Sequence, residues 1–398
     1  MTNDEIKLQD AQSVMQTYAR YDAVIDHGKG ATLYGADGKE YIDFTSGIGV
    51  NSIGYGDEKW AGAIYAQAMK LQHVSNLFYT EPYVRLSKEL TERTGMKNVF
   101  FCNSGAEANE GMIKLARKYS FDKYGAGRSD IITLSKSFHG RTVTTLAATG
   151  QESFHKFFFP FTGGFAYAPP NDIKALEAML GGATTCAIIM EPVQGEGGVL
   201  PLDPGYVKAA AELCAARDIL LMLDEVQTGI GRTGTLFAYE QHGVKPDVVS
   251  FAKGIAGGLP MGGFLACEKC ASVFTPGTHG TTFGGNPIAA AAALEVLGRL
   301  DDELLADVKK KGKYIMDAVG GWQLPVVGEI RGSGLMIGIS LESAVPKEVA
   351  AACVRKGLLM LTAGTDAIRM LPPLTITMSE IDKGLSILKE TLVEILLF

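Results

Sequence analysis

The sequence predicts an α/β protein with a mostly parallel sheet of the seven-stranded type, covered by helices, and a smaller α+β domain built from the N- and C-terminal segments. Short apolar runs alternate with helical patterns through the middle of the chain. Strands with little polar alternation are typical of sheets that are buried on both faces. We expect an N-terminal part of the small domain over residues 1–59, the large domain over 60–295 and the rest of the small domain over 296–398.

The individual elements follow from apolar runs, helical spacing and turn residues. Helical spacing predicts helices over residues 106–119 and 206–216. The N-terminal segment has β-like runs at 31–34 and 39–44 around Asp37-Gly38, a hairpin signal, and we expect this hairpin to pair with the C-terminal domain. Further β-like runs lie at 334–340 and 358–361. The strands predicted for the large domain are residues 99–102, 131–134, 186–190, 219–223, 248–252 and 263–266.

Composition and charge exclude several classes of protein. The formal net charge of −7 argues against a nucleic-acid binder, which needs a basic face to neutralise phosphates. There is no apolar run of about 18 residues, so we expect no membrane span. Residues 1–10 are acidic and polar and lack the apolar core of a signal peptide. Together with the scattered cysteines, these features favour the cytoplasm.

Two of the six cysteines, Cys267 and Cys270, form a CxxC pattern. The pattern fits a redox pair or half of a zinc site. No second CxxC or HxxxH accompanies it, which favours two ordinary reduced thiols. We therefore expect no metal site.

The motif from Asn103 to Glu107 lies where a predicted strand ends and a helix begins. The exposed N–H groups and the dipole of a helix N-terminus form an anion site, which suits a phosphate. Gly105 allows the backbone to approach a ligand, and Ser104 offers a hydroxyl. Ser104-x-x-Glu107 also fits a plain capping box, and both interpretations can hold together.

Charged residues end two later apolar strands. Asp224 and Glu225 follow three apolar residues, and a buried acid there needs a metal or a protonated ring nitrogen as its partner. No clustered metal ligands accompany them. Lys253 ends the run that begins at Val248, and burial there would lower its pKa, as a Schiff-base lysine requires. The alternative for Lys253 is a lysine that extends to solvent from a strand end.

Six motifs in order resemble those of class III aminotransferases of fold type I, which depend on pyridoxal phosphate, and within that class the acetylornithine aminotransferases. The resemblance spans roughly residues 18–395. The motifs are Asn103–Glu110, Ser137–Thr142, Glu191–Gly198, Asp224–Gly234, Ala252–Gly254 and Gly280–Pro287.

This resemblance implies a role for each site residue. Lys253 would bind the cofactor as a Schiff base and move the proton, and Asp224 would pair with the pyridine nitrogen. The phosphate would lie on Ser104, Gly105 and Ala106, with Thr282 reaching it from the neighbouring subunit of a homodimer. The other cofactor residues would be Phe138 and Val226 on the ring faces, Gln227 at the ring hydroxyl, and Glu225. The implied substrate residues are Arg141, which would bind a carboxylate, Glu196 and Arg369, which would form a switching pair, and Thr281.

The resemblance also implies the reaction. The δ-amino group of N2-acetylornithine would pass to 2-oxoglutarate, giving N-acetylglutamate 5-semialdehyde and glutamate in arginine biosynthesis. Alternative donors are succinylornithine, ornithine, 4-aminobutyrate and N-succinyldiaminopimelate. An aminomutase, a decarboxylase and a non-catalytic cofactor-binding regulator are competing classes. Retention of Glu196 and Arg369 favours a transaminase with two substrates, and the region before residue 20 has no room for a DNA-binding helix-turn-helix.

Overall fold

In the computed structural model, which describes residues 1–397, the chain begins with a helix and three antiparallel strands. The turn at Asp37-Gly38 joins the second and third strands, and Gly38 has a φ of 79° there. This confirms the predicted hairpin. The first strand was not predicted, because Ile25–Lys29 contains a single large apolar residue. These elements are α1 (Asn3–Ser13), β1 (Ile25–Lys29), β2 (Thr32–Gly35) and β3 (Glu40–Asp43).

The middle of the chain alternates strands and helices. Each of the six strands and both helices predicted for this region is present, with ends that differ by a few residues. In order, the elements are α2 (Ser46–Gly49), α3 (Glu58–Lys70), α4 (Glu81–Thr94), β4 (Asn98–Cys102), α5 (Gly105–Tyr124), β5 (Asp130–Leu134), α6 (Val143–Ala148), β6 (Phe165–Ala168), α7 (Ile173–Met179), β7 (Thr185–Met190), β8 (Val193–Gln194), β9 (Leu200–Pro201), α8 (Pro204–Arg217), β10 (Leu220–Asp224), β11 (Val248–Phe251), β12 (Gly262–Ala266) and α9 (Pro287–Leu297).

Within the described residues the central sheet has seven strands in the order β4-β12-β11-β10-β7-β5-β6. Neighbouring strands are parallel except around β12, which runs against both β11 and β4. Every residue of β7 and β10 is buried, as expected for strands that helices cover on both faces. The fold class predicted from the sequence is confirmed. The edge strand β6 was missed, because its four residues form a short, half-exposed run.

The C-terminal region forms a second, antiparallel sheet in the order β13-β14-β17-β16. Strand β15 of the same region does not join this sheet. It pairs with β3 in the N-terminal sheet, so that Leu358 lies opposite Ile42. The two chain ends therefore share one structure, while the domain boundaries at residues 60 and 295 stay a prediction. The elements are α10 (Asp302–Gly320), β13 (Val327–Ser333), β14 (Met336–Leu341), α11 (Pro346–Arg355), β15 (Leu358–Leu359), β16 (Leu361–Ala363), β17 (Ala367–Met370) and α12 (Met378–Ile395).

Helix α12 packs tightly on the N-terminal segment. Gly384 faces the fully buried ring of Phe44, and a Cβ at Gly384 would lie 2.3 Å from the Cζ atom of that ring. No helix in residues 1–397 is both long enough and apolar enough to cross a membrane.

We predict that Gly384→Ala lowers the free energy of unfolding by about 1–3 kcal/mol, because the added methyl group overpacks against Phe44. Gly62 in α3 is the matched control, since a Cβ there meets no atom within 4 Å. Gly62→Ala should raise the free energy of unfolding by up to about 1 kcal/mol through helix propensity alone. Urea-unfolding midpoints of both purified variants test this, and stabilisation of both would contradict the packing argument.

Candidate active site

The main pocket lies at one edge of the central sheet. The strands β4, β5, β7, β10 and β11 all run toward this edge, so the residues that follow them meet there. The cavity has a volume of about 400 Å³. Its lining comprises Val50, Asn103, Ser104, Gly105, Ala106, Asn109, Phe138, His139, Gly140, Arg141, Glu191, Glu196, Asp224, Val226, Gln227, Ala252, Lys253, Gly258, Leu259, Pro260 and Met261.

The N-terminus of α5 forms one wall of the pocket. Ser104 caps this helix by accepting a hydrogen bond from the backbone N–H of Glu107 at 3.2 Å. The N–H groups of Gly105 and Ala106 at the start of the helix have no partner within the helix and remain available to an anion. A Cβ at Gly105 would lie 2.6 Å from a methyl group of Val226, so only glycine leaves this backbone uncovered.

Asp224, at the end of β10, is 4% exposed and held by several donors. Its Oδ2 atom accepts from Asn109 Nδ2 at 2.7 Å and lies 2.8 Å from His139 Nδ1. Its Oδ1 atom accepts from the backbone N–H of Val226 at 3.0 Å. Burial opposes the charge on His139, but the hydrogen bond to Asp224 and the charges of Asp224 and Glu191 outweigh it and raise the pKa of His139. These contacts fix the Asp224 carboxylate in one position at the floor of the pocket.

For three of these lining residues, Asn109, His139 and Glu191, no individual role was predicted from the sequence. Glu191 directly follows the buried strand β7, which is the same signal that identified Asp224 at the end of β10. Its carboxylate accepts from the backbone N–H of Phe138 at 2.8 Å and of Gly195 at 3.2 Å. Burial raises the pKa of Glu191. Glu191 thereby ties together the loops that carry Phe138 and Glu196.

Lys253 follows β11 and has a φ of 46°, in the left-handed region. This conformation is unfavourable for a side chain with a Cβ, and such strain clusters at functional sites. Burial lowers the pKa of Lys253, aided by the charge of Arg369 and opposed by Glu196, Asp224 and Glu191. The amine is therefore more nucleophilic near neutral pH than an exposed lysine.

Arg141 lies at the mouth of the pocket beside two aromatic rings. Its guanidinium carbon is 4.2 Å from the centroid of Phe154 and 5.6 Å from that of Phe138. Stacking on a ring leaves the in-plane N–H donors of a guanidinium available, and these match a carboxylate. Arg141 is thus placed to bind an anionic group that enters the pocket.

Glu196 and Arg369 form an ion pair between the large domain and the small sheet. Arg369 Nη1 donates to Glu196 Oε1 at 2.7 Å, and Arg369 Nη2 donates to Oε2 at 3.3 Å. Gln227 joins both residues, accepting from Arg369 at 3.1 Å and donating to Glu196 at 3.2 Å. Burial opposes the Glu196 charge, but Arg369 outweighs it and lowers the pKa of Glu196. The structure brings these three predicted residues together.

The structure departs from the prediction for Glu225, which points away from the pocket. Its carboxylate accepts from the backbone N–H groups of Ala238 at 2.6 Å and Tyr239 at 2.7 Å, and from the Thr228 hydroxyl at 2.9 Å. Burial raises the pKa of Glu225 to about 7. Successive side chains at a strand end point to opposite faces, so Asp224 and Glu225 cannot both face the cofactor. Glu225 instead anchors the loop at 225–239.

Thr281 and Thr282 lie outside the main pocket. They line a surface groove behind the α5 N-terminus together with Asn103 and Glu107. Asn103 Nδ2 donates to the Thr281 hydroxyl at 3.4 Å. Thr282 is exposed, so its predicted contact with a phosphate requires a second subunit.

Comparison with known proteins decides the family. The profile of the Aminotransferase class-III family matches residues 14–392. The chain belongs to this family. It is 52% identical to an acetylornithine aminotransferase of Haemophilus ducreyi over 99% of this chain and 100% of that protein. It is 42% identical to a succinylornithine transaminase of Photorhabdus laumondii over 90% of each chain. The crystal structure of an ornithine aminotransferase from Toxoplasma gondii superposes with a TM-score of 0.95 at 32% identity, covering 99% of this chain and 96% of that one.

Membership confirms the prediction of a pyridoxal-phosphate-dependent aminotransferase, and the pocket fits that cofactor. The uncovered backbone at Gly105 and the first-turn N–H groups suit a phosphate. The fixed carboxylate of Asp224 suits a protonated ring nitrogen, and Lys253 supplies an amine with a lowered pKa. The described residues contain no group of three or more His, Cys, Asp or Glu side chains that could hold a metal ion.

Proposed function

We propose that this aminotransferase transfers the δ-amino group of N2-acetylornithine to 2-oxoglutarate. The observation that carries the proposal is the Glu196–Arg369 ion pair beside the pocket, with Arg141 at the mouth. The 52% identity to an acetylornithine aminotransferase over the whole chain supports this donor. The products would be N-acetylglutamate 5-semialdehyde and glutamate.

Several residues that line the pocket would have a defined role in this reaction. Ser104, Gly105 and Ala106 would hold the cofactor phosphate, while Phe138 and Val226 would enclose the ring and Gln227 would reach its hydroxyl. Asp224 would keep a proton on the ring nitrogen, because His139 and Asn109 fix its carboxylate. When bound, pyridoxal phosphate supplies an electron sink next to the substrate carbon that loses a proton.

Lys253 would move that proton. Its pKa is lowered by burial, so the Nζ atom can accept a proton near neutral pH and return it. The residue sits directly after β11, on the same sheet edge as Asp224. The left-handed backbone at Lys253 fixes the direction in which the side chain leaves the strand.

The Glu196–Arg369 pair explains how one site would accept two unlike substrates. Glutamate carries an α-carboxylate beside the reacting amine, whereas acetylornithine presents methylene groups there. An unpaired arginine would suit glutamate, but desolvating its charge against methylene groups is unfavourable. Pairing with Glu196 would neutralise Arg369 for acetylornithine, and Arg141 would bind the distal carboxylate of either substrate.

The donor is tested by assaying the purified enzyme against a panel with 2-oxoglutarate as acceptor. We expect the highest kcat/KM for N2-acetylornithine. Succinylornithine is the strongest competitor, because a succinylornithine transaminase is also 42% identical. The remaining donors are ornithine, 4-aminobutyrate and N-succinyldiaminopimelate. A higher kcat/KM for any of these four would assign the enzyme to that donor.

We also propose that the enzyme works as a homodimer in the cytoplasm. Large apolar side chains are exposed on two segments that Asn76 connects by donating to the Thr281 carbonyl at 3.3 Å, namely Leu77 at 87% and Phe78 at 69% on one and Phe283 at 61% on the other. Exposed apolar surface supports an interface with another chain. A second copy would cover it and bring Thr282 to the neighbouring phosphate. Arginine biosynthesis is the corresponding metabolic role.

We predict opposite effects of substitutions in the switching pair. Glu196→Ala leaves Arg369 unmasked and should slow the acetylornithine half-reaction more than the glutamate one. Arg369→Ala should do the reverse. In each case the ratio of the two rates should change by at least about tenfold, which corresponds to about 1.4 kcal/mol. Stopped-flow absorbance of the cofactor measures each half-reaction.

The matched control for that pair is Glu329→Ala, which removes a carboxylate 2.9 Å from Arg331 in the same small sheet. This variant should leave the ratio unchanged. Equal losses in both half-reactions for Glu196→Ala and Arg369→Ala would show that the pair is structural.

We predict that Thr282→Ala weakens cofactor binding without dissociating the dimer. A hydrogen bond to a charged group contributes about 1.5–3 kcal/mol, so the Kd for pyridoxal phosphate should rise by at least about tenfold. Titration of the apoenzyme and analytical ultracentrifugation measure the two properties. Thr275→Ala, at an exposed threonine of the same segment, is the control. An unchanged Kd would remove Thr282 from the site.

A further inference from the structure

A pair of cysteines lies at the end of β12, away from the pocket. A single 3₁₀ turn covers Glu268–Cys270, with Cys267 as the residue before it and Cys270 as its last residue. The Cys270 N–H donates to the Cys267 C=O at 3.0 Å and closes the turn. Side chains three residues apart are eclipsed in a 3₁₀ turn, and their Cα atoms are about 6 Å apart. A disulfide spans Cα separations of about 4.4–6.8 Å.

The two cysteines differ in their exposure to solvent. Cys267 is half-buried, whereas Cys270 is 1% exposed and packs in the core beside Phe264. One sulfur can therefore be reached from solvent, and the other can be reached only from the first. Burial raises the pKa of each of the remaining cysteines, which are Cys102, Cys186, Cys214 and Cys353.

The surroundings of Cys267 act on its thiol in both directions. The neighbouring Cys270 thiol lowers the pKa of Cys267, while burial and the charge of Asp247 oppose this. The Cys267 thiol donates to Asp247 Oδ1 at 3.6 Å, and Lys269 Nζ, 2.8 Å from the same carboxylate oxygen, offsets the charge that opposes a thiolate. A lowered pKa increases the thiolate fraction, which is the attacking form in thiol–disulfide exchange.

The pair is remote from the cofactor site. Ala266 lies opposite Val248 and Gly263 opposite Phe251, so Cys267 adjoins the start of β11, whereas Lys253 follows its end. The length of the strand separates the two by on the order of 20 Å. Zinc is disfavoured, because no group of three or more His, Cys, Asp or Glu side chains within residues 1–397 is arranged to hold a metal ion.

We propose that Cys267 and Cys270 form a redox-active dithiol that exchanges with disulfides of the glutathione type. The Cys267 thiolate attacks one sulfur of oxidised glutathione, forming a mixed disulfide and releasing one glutathione thiolate. Cys270 loses its proton to solvent and attacks the Cys267 sulfur, which releases the second glutathione thiolate. The two cysteines are oxidised to one disulfide, one glutathione disulfide is reduced to two thiols, and the released thiolates take up the protons.

Trypsin gives a direct readout, because it cleaves after Lys269, between the two cysteines. The holoenzyme is equilibrated with reduced and oxidised glutathione at several ratios, blocked with N-ethylmaleimide, denatured and digested. We expect separate alkylated peptides 254–269 and 270–299 in reducing buffer. In oxidising buffer we expect one disulfide-linked species that contains both peptides and no other cysteine.

Two variants test the order of attack. Cys270→Ser lacks the resolving thiol and should accumulate a glutathione mixed disulfide on Cys267, whereas Cys267→Ser should remain unmodified. Turnover of the wild type should be the same in both redox buffers, because the site is remote from the pocket. Persistence of the two separate peptides in fully oxidised glutathione would overturn the proposal. So would modification of Cys270 in the Cys267→Ser variant, or absence of the adduct in Cys270→Ser.

Discussion

The common direction of five strands in the central sheet is the constraint on which the site depends. β4, β5, β7, β10 and β11 end at one edge, and residues far apart in sequence meet there as a consequence. The helix that follows β4 contributes backbone N–H groups, β10 contributes Asp224, and β11 leads to Lys253. Parallel strands need long crossovers, and these crossovers cover both faces of the sheet. The same topology therefore produces the buried core and the position of the chemistry.

A buried charge at that edge is unfavourable unless nearby groups compensate it. The three carboxylates there, Asp224, Glu191 and Glu196, have different partners. Asp224 accepts a hydrogen bond from Asn109 and lies beside His139, whose pKa it raises against the effect of burial. Glu191 accepts from two backbone N–H groups, which lower its pKa, but burial outweighs them and the pKa rises. Glu196 is paired with an arginine, and its pKa falls. The pKa values of Glu191 and Glu196 therefore shift in opposite directions, because burial dominates at Glu191 and Arg369 outweighs burial at Glu196.

Local signals in the sequence predicted the fold class and part of the pocket, whereas Phe138, Arg141 and Glu196 followed from the resemblance to class III aminotransferases. Apolar runs marked the strands, and the polar residues at their ends marked the site. The short edge strand β6 lacked such a run. The orientation of Glu225 could not be predicted, because it depends on backbone donors at Ala238 and Tyr239 beyond the following turn. The network around His139 depends likewise on contacts between β5, α5 and β10 that only the folded chain provides.

The geometry of the switching pair identifies which of its members can move in the proposed reaction. The Arg369 side chain is 3% exposed, whereas that of Glu196 is 29% exposed. Arg369 also keeps a hydrogen bond to Gln227 when Glu196 leaves. The loop backbone beside Glu196 has little freedom, since a Cβ at Gly195 would lie 2.2 Å from Gln227 and one at Gly197 would lie 2.5 Å from the Lys136 carbonyl. Rotation of the Glu196 side chain, with the arginine and the loop fixed, is therefore the smallest movement that unmasks Arg369 for a substrate carboxylate.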